Sequence, residues 1–243
     1  MASRVPKSPS VPPPVAPTSR HEDVAAFLDD VRSRTAARTA NGRGRLIFAL
    51  DATMSRQPTW DLAIQIQAEM FREAGAVGGL DIQLVYYRGI GECRASPWLS
   101  DAAALERLMT RIDCRGGQTQ IGRILQHVGQ EAERGKVDAV AFVGDAMEES
   151  LDSLCAAAAP LAMRGVPAFL FQEGGDAVAE QAFREIARLT RGAYCRFGTG
   201  SAAERRALLR AGAAYASGGR EQLKALASRS GGEAARILLE KLP

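Results

Sequence analysis

Histidine is nearly missing from this 243-residue chain, which has only His21 and His127. Its four cysteines, Cys93, Cys114, Cys155 and Cys195, stand far apart, with no CxxC pair and no Cys/His cluster. A zinc site of thiolates and imidazoles therefore lacks its ligands, and free thiols in a reducing compartment are expected. No apolar run approaches the roughly 18 residues of a membrane span; the best, 46–50 and 137–143, are strand-sized. Arg4 and Lys7 are not followed by an apolar segment, so no signal peptide is expected. The surplus of positive charge is only +3, too small for a nucleic-acid-binding module. With 46% hydrophobic and 24% charged residues, the composition is that of a soluble, globular, cytoplasmic protein.

The small net charge hides an uneven distribution. Residues 1–45 and 199–243 each hold eight Lys/Arg against four Asp/Glu, whereas 46–198 holds 15 against 20. Basic ends flank a mildly acidic middle. Six of the eleven prolines fall within the first 17 residues, so 1–20 reads as a disordered or polyproline arm. Val24, Phe27, Leu28 and Val31 then follow helical spacing, giving an amphipathic helix over 21–40.

From Gly44 onward strand and helix patterns alternate. Strands are expected at 45–50, 81–88, 92–96, 137–144, 166–171 and 193–197. Helices are expected at 60–74, 100–112 (capped by Ser100), 120–134, 151–163 and 177–190. Gly89-Ile90-Gly91 is short enough to fold 92–96 back as an antiparallel edge strand. The tail, 199–243, reads as helical, with Leu208, Leu209, Tyr215, Leu223, Leu226, Ile237 and Leu238 as apolar anchors. Such alternation predicts a three-layer α/β fold around a doubly wound, mostly parallel six-stranded sheet with one antiparallel edge strand. Ligands of such sheets lie beyond the carboxyl ends of the strands, where the winding reverses.

Three of those strand ends carry oxygen donors. The first strand runs into Asp51-Ala52-Thr53-Met54-Ser55, a Gly-rich loop presents Thr119 after Gly116-Gly117, and the fourth strand ends in Gly144-Asp145. Two carboxylates and three hydroxyls, without imidazole or thiolate, suit a hard cation. Taken singly, Asp51 and Asp145 also read as turn residues and Thr119 as a helix N-cap.

With its Asp-x-Thr-x-Ser string, Thr119 in GGQTQIGRIL and Asp145 in AFVGDAMEE, the sequence over 45–198 resembles a von Willebrand factor type A (vWA) domain of bacterial intracellular type, with a metal-ion-dependent adhesion site (MIDAS). Thr53 stands where the family has Ser, and Gly144-Asp145-Ala146 replaces the commoner Asp-Gly. The resemblance implies that Ser55 and Thr53 bind Mg²⁺ (or Mn²⁺ or Ca²⁺) directly and that Thr119 does so in at least one state, with Asp51 and Asp145 acting mainly through waters or as outer acceptors. It also implies that a partner protein's Asp or Glu completes the ion, that the chain does no chemistry of its own, and that the partner belongs to an ATPase or chaperone system.

Two other classes remain open at this point. A metal-free vWA scaffold would use the same fold for interaction alone. A metal-dependent hydrolase or phosphatase of haloacid-dehalogenase type would need a second Asp at the position of Thr53. The sequence contains neither a G-x-S-x-G elbow nor a G-x-x-x-x-G-K-[ST] loop. Trp60 and Trp98 are expected near the site or in the core, Glu148 and Glu149 near the ion's waters or in solvent, and Arg94 and Arg115 at the surface or facing an acidic ligand.

Overall fold

The computed structural model describes residues 42–57, 60, 79–197 and 202–243. The expected arm at 1–20, the helix at 21–40 and all of the helix at 60–74 except Trp60 lie outside the described residues.

Six strands form one sheet in the order β3-β2-β1-β4-β5-β6. They are β1 (Gly44–Asp51), β2 (Leu80–Arg88), β3 (Glu92–Ala95), β4 (Ala139–Gly144), β5 (Ala168–Gln172) and β6 (Ala193–Arg196). All neighbours pair in parallel except β2 and β3, which form an antiparallel hairpin at one edge. The fold class expected from alternation is the one observed.

The central strands are apolar along their length because both faces are covered. Successive side chains of β1 point to opposite sides. Leu46, Phe48 and Leu50 enter one core, and Ile47 and Ala49 enter the other. The second core is roofed by α2 (Ile121–Arg134), α3 (Leu151–Met163) and α4 (Ala177–Leu189). On α2, Ile121, Ile124, Leu125 and Val128 repeat at helical spacing and are buried. The first core is covered by α1 (Ala102–Met109), α5 (Ala202–Ala227) and α6 (Glu233–Lys241). The basic tail is thus docked on the sheet through Leu208, Leu209, Leu223 and Leu238. Its long helix bends where Gly218 and Gly219 leave helical geometry.

Two local expectations are corrected. Asp101, not Ser100, caps α1, accepting from the backbone N–H groups of Ala103 and Ala104 at 3.0 and 3.2 Å. Ser100 instead donates its hydroxyl to Asp81, 2.8 Å away. In the tail, Ile237 is 38% exposed, so it is no core anchor.

In this strand order the chain winds outward in both directions from the β1/β4 pair. Their carboxyl ends, bearing Asp51 and Asp145, therefore flank the crevice of the sheet.

Candidate metal centre

β1 delivers Asp51 to the crevice fully buried, at 0% exposure. Register pairs it with Tyr87 on β2, and the Tyr87 hydroxyl donates to Asp51 Oδ2 at 2.8 Å. The other oxygen, Oδ1, accepts from the backbone N–H of Thr53 at 2.7 Å. Tyr87 thus fixes the Asp51 carboxylate from β2, and Oδ1 orients the loop that follows. Burial pushes the Asp51 carboxyl above its ordinary pKa; hydrogen bonds from Thr53 and Tyr87 offset part of that, and the Asp145 charge adds to it. Burial and the Asp51 carboxylate hold the Tyr87 phenol well above its ordinary pKa, so Tyr87 remains a donor.

After Asp51 the chain turns through a 3₁₀ helix, Met54–Arg56. Thr53 and Ser55 are brought together there, with hydroxyl oxygens 3.0 Å apart. Thr53 is buried and Ser55 exposed, so this hydroxyl pair runs from the crevice to solvent.

Thr119 arrives on a loop pinned on several sides. Gly117 lies so close to the β2–β3 turn that a Cβ there would sit 2.0 Å from the Gly89 carbonyl, a contact only glycine permits. Thr53 and Arg115 form an isolated parallel bridge, and Arg115 N–H donates to the Ala52 carbonyl at 3.0 Å. The loop after Asp145 closes the third side. Glu148 N–H donates to Thr119 Oγ1, and Thr119 N–H donates to Glu148 Oε2, both at 3.0 Å. Glu149 accepts from the N–H groups of Ile121 and Gly122 at 2.5 and 2.9 Å, capping α2 with a carboxylate at its positive end.

Asp145 is the anomaly. Its Oδ1 is buried without a hydrogen-bond partner among the described residues. A buried carboxylate oxygen left unsatisfied costs several kcal/mol at the order-of-magnitude level unless a cation or donor reaches it. The Asp145 charge stands near enough to Asp51 to help raise the Asp51 pKa. Among the described residues no group of three His, Cys, Asp or Glu side chains is placed to hold a metal. A cation at this corner must therefore be held largely by hydroxyls. Burial pushes the neighbouring Cys114 thiol up to about 11, so it stays protonated at neutral pH and is no thiolate ligand.

Asp51, Thr53 and Ser55 form one loop, Thr119 is latched to the loop that follows Asp145, and Asp51 feels the charge of Asp145. Trp60 belongs to the core, donating its indole N–H to the Ile112 carbonyl at 2.9 Å. Trp98 is held by Glu131 and stacked under Arg45. Arg94 and Arg115 pair with Glu92 and Asp113. His127 meets Gln83 at 2.8 Å, and all four cysteines are free.

Sequence reasoning missed Tyr87 and Arg56. Tyr87 reaches Asp51 only through inter-strand register, which no local pattern encodes. Arg56 is a 1%-exposed guanidinium 3.4 Å from Glu173. Its place directly after the Asp-x-Thr-x-Ser run was the available signal.

No protein-family model and no curated protein matches this sequence. Solved structures do. Similarity to the SpRpn10 VWA domain has a TM-score of 0.53 at 10% identity, over 64% of this chain and 88% of that one. The proximal thread matrix protein 1 (PTMP1) from the mussel byssus, in a structure with a zinc-occupied MIDAS motif, gives 0.56 at 19% identity, over 70% of this chain and 47% of that one. The pilus adhesin SpaC from Lactobacillus rhamnosus GG gives 0.58 at 10% identity, over 73% and 31%. The chain thus spans less than half of the latter two. At these identities the likeness concerns the fold, and in strand order, edge hairpin and helical layers this chain has a von Willebrand factor type A fold.

Proposed function

We propose that this chain is a divalent-cation-dependent protein-binding module without chemistry of its own. The observation that carries the reading is the half-buried Asp145, whose buried Oδ1 has no partner among the described residues, beside the fully buried carboxylate of Asp51. Two like charges in a crevice call for a cation, and the donors around them are hydroxyls and carboxylates, which suit Mg²⁺, Mn²⁺ or Ca²⁺. The zinc-occupied motif of the mussel protein supports a divalent ion at this corner of the fold.

In this reading Thr53, Ser55 and Thr119 hold the ion through their hydroxyls. Asp51 already accepts two hydrogen bonds, so it serves as a fixed outer acceptor that orients Thr53. Asp145 supplies negative charge through its free oxygen. When bound, the ion supplies an electrophilic centre with a position for an Asp or Glu of a partner protein, since three neutral hydroxyls leave most of its charge uncompensated. A cytoplasmic site of action and an ATPase or chaperone partner rest on the family resemblance.

Affinity capture in Mg²⁺ against EDTA, repeated with Thr119→Ala, tests the mechanism. A partner retained by wild type in Mg²⁺ and released in the other two conditions is expected. Equal retention in all three would sink the metal bridge and leave a metal-free interaction scaffold.

A further inference from the structure

The opposite end of the sheet bears a second concentration of charge. A cavity of about 440 Å³ opens beside β6, at the free edge of the sheet, where α4 ends and α6 ends. Its lining includes Arg184, Arg188, Arg191, Tyr194, Glu240 and Lys241. That volume lies within the range of small-molecule sites, roughly 300–1,000 Å³.

The cations are not equivalent. Arg184 is paired with Glu180 at 2.8 Å, and Arg188 with Glu185 at 2.6 Å. Lys241 donates to the Tyr194 carbonyl at 2.9 Å, which leaves two of its three N–H donors. Arg184 and Lys241 both stand over the Tyr194 ring, 4.4 and 5.9 Å from its centroid. Arg191 is exposed, and among the described residues its guanidinium has neither a carboxylate nor a hydrogen-bond partner.

Arg191 is also the one described non-glycine residue with positive φ, at 56°. It occupies the left-handed position that ends α4. Its N–H donates to the Arg188 carbonyl at 3.3 Å, and Gly192 N–H donates to Ala187 at 2.9 Å. That pattern usually places glycine where Arg191 stands. Here the neighbouring glycine is committed elsewhere, because a Cβ on Gly192 would lie 1.9 Å from the Ala168 carbonyl. The dipole of α4 gives no reason for Arg191, since Arg188 already supplies a cation within the last turn in ordinary helical conformation. A strained, unpaired arginine at the mouth of a cation-lined cavity points to a ligand.

We propose that this cavity binds a small oxyanion, a phosphate or carboxylate group, through Arg191 and Lys241, with Arg184 and Arg188 as supporting charge. Arginine's planar fork suits either group.

Calorimetric titration of the full chain with inorganic phosphate and with citrate, at low salt and after divalent metal has been stripped on a chelating resin so that the carboxyl-end site plays no part, tests this. Arg191→Gly removes the charge while suiting the left-handed backbone, so it folds. Wild type is expected to bind at least one anion about tenfold or more tighter than Arg191→Gly, with Arg191→Lys between them. Binding of phosphate alone or citrate alone assigns the group. Equal binding by wild type and Arg191→Gly, or none by either at millimolar anion, overturns the proposal. A lower melting temperature for Arg191→Gly also contradicts it, because the arginine would then serve the fold.

Discussion

At the carboxyl end of the sheet, Asp145 buries a carboxylate oxygen, and at the amino end of β6, Arg191 holds out a guanidinium, each with no partner among the described residues. Each end departs from what stability alone would select, and each does so differently. At the carboxyl end the cost is desolvation of a carboxylate oxygen, which a bound cation would relieve. The amino end stores backbone strain in an exposed residue, where water solvates the charge and the conformation is the cost. The difference teaches where to look for each effect. Filling the first site should raise global stability strongly, whereas relieving the strain at the second should raise it only a little.

The largest expected effect is at the carboxyl end. Mg²⁺ or Mn²⁺ at about 100 times its dissociation constant adds ~2.7 kcal/mol to wild type, a rise in Tm of roughly 5–10 °C for a chain of this size. Asp145→Asn should lose that response in differential scanning calorimetry, yet melt no lower than wild type without metal, because it removes a negative charge beside the buried Asp51. Next comes Glu149→Ala, which strips two backbone donors of α2 of their acceptor and should cost about 1–2 kcal/mol in urea unfolding. It should also blunt the metal response, since the α2 end carries Thr119. An unchanged metal response would mean that Thr119 is positioned without the cap.

At the amino end the expected change is small. Arg191→Gly relieves the left-handed strain and should raise stability by about 1 kcal/mol or less. A fall would erase the contrast between the two ends.

The smallest effect concerns the second core, away from both ends. Burial holds the His127 imidazole below its ordinary 6.5, while Glu131 raises it and Arg134 lowers it. With a depressed folded pKa, the unfolded chain takes up the proton first. The associated stability is therefore complete above pH 6.5 and is lost as pH falls from there through the lower folded value. His127→Gln should flatten the fall in Tm between pH 7 and pH 5.5; an unchanged slope would assign that fall to other groups.

How much of this was legible depended on how local each cause is. Asp51, Thr53 and Ser55 share one five-residue loop whose geometry follows from chain spacing, so the sequence carried them. The continuous apolar character of β1 and β4 revealed their burial on both faces for the same reason. Tyr87 and Asp51 meet through strand register, and Glu148 reaches Thr119 across two loops 29 residues apart in sequence, so neither was readable. The N-cap of α1 was misassigned because Ser100 and Asp101 are both good caps, and Asp81, distant in sequence, drew Ser100 away. Arg184, Arg188 and Arg191 have the spacing of a solvated helix face. What marks Arg191 is its left-handed backbone conformation, which side-chain spacing does not encode.

The central claim is that the crevice at the ends of β1 and β4 is a cation site. The most direct measurement is an anomalous difference map from crystals of the chain soaked in Mn²⁺. A single strong peak among the hydroxyls of Thr53, Ser55 and Thr119, beside Asp145, is the predicted result. A map with no peak in that crevice, or with Mn²⁺ bound only elsewhere on the surface, would contradict the claim.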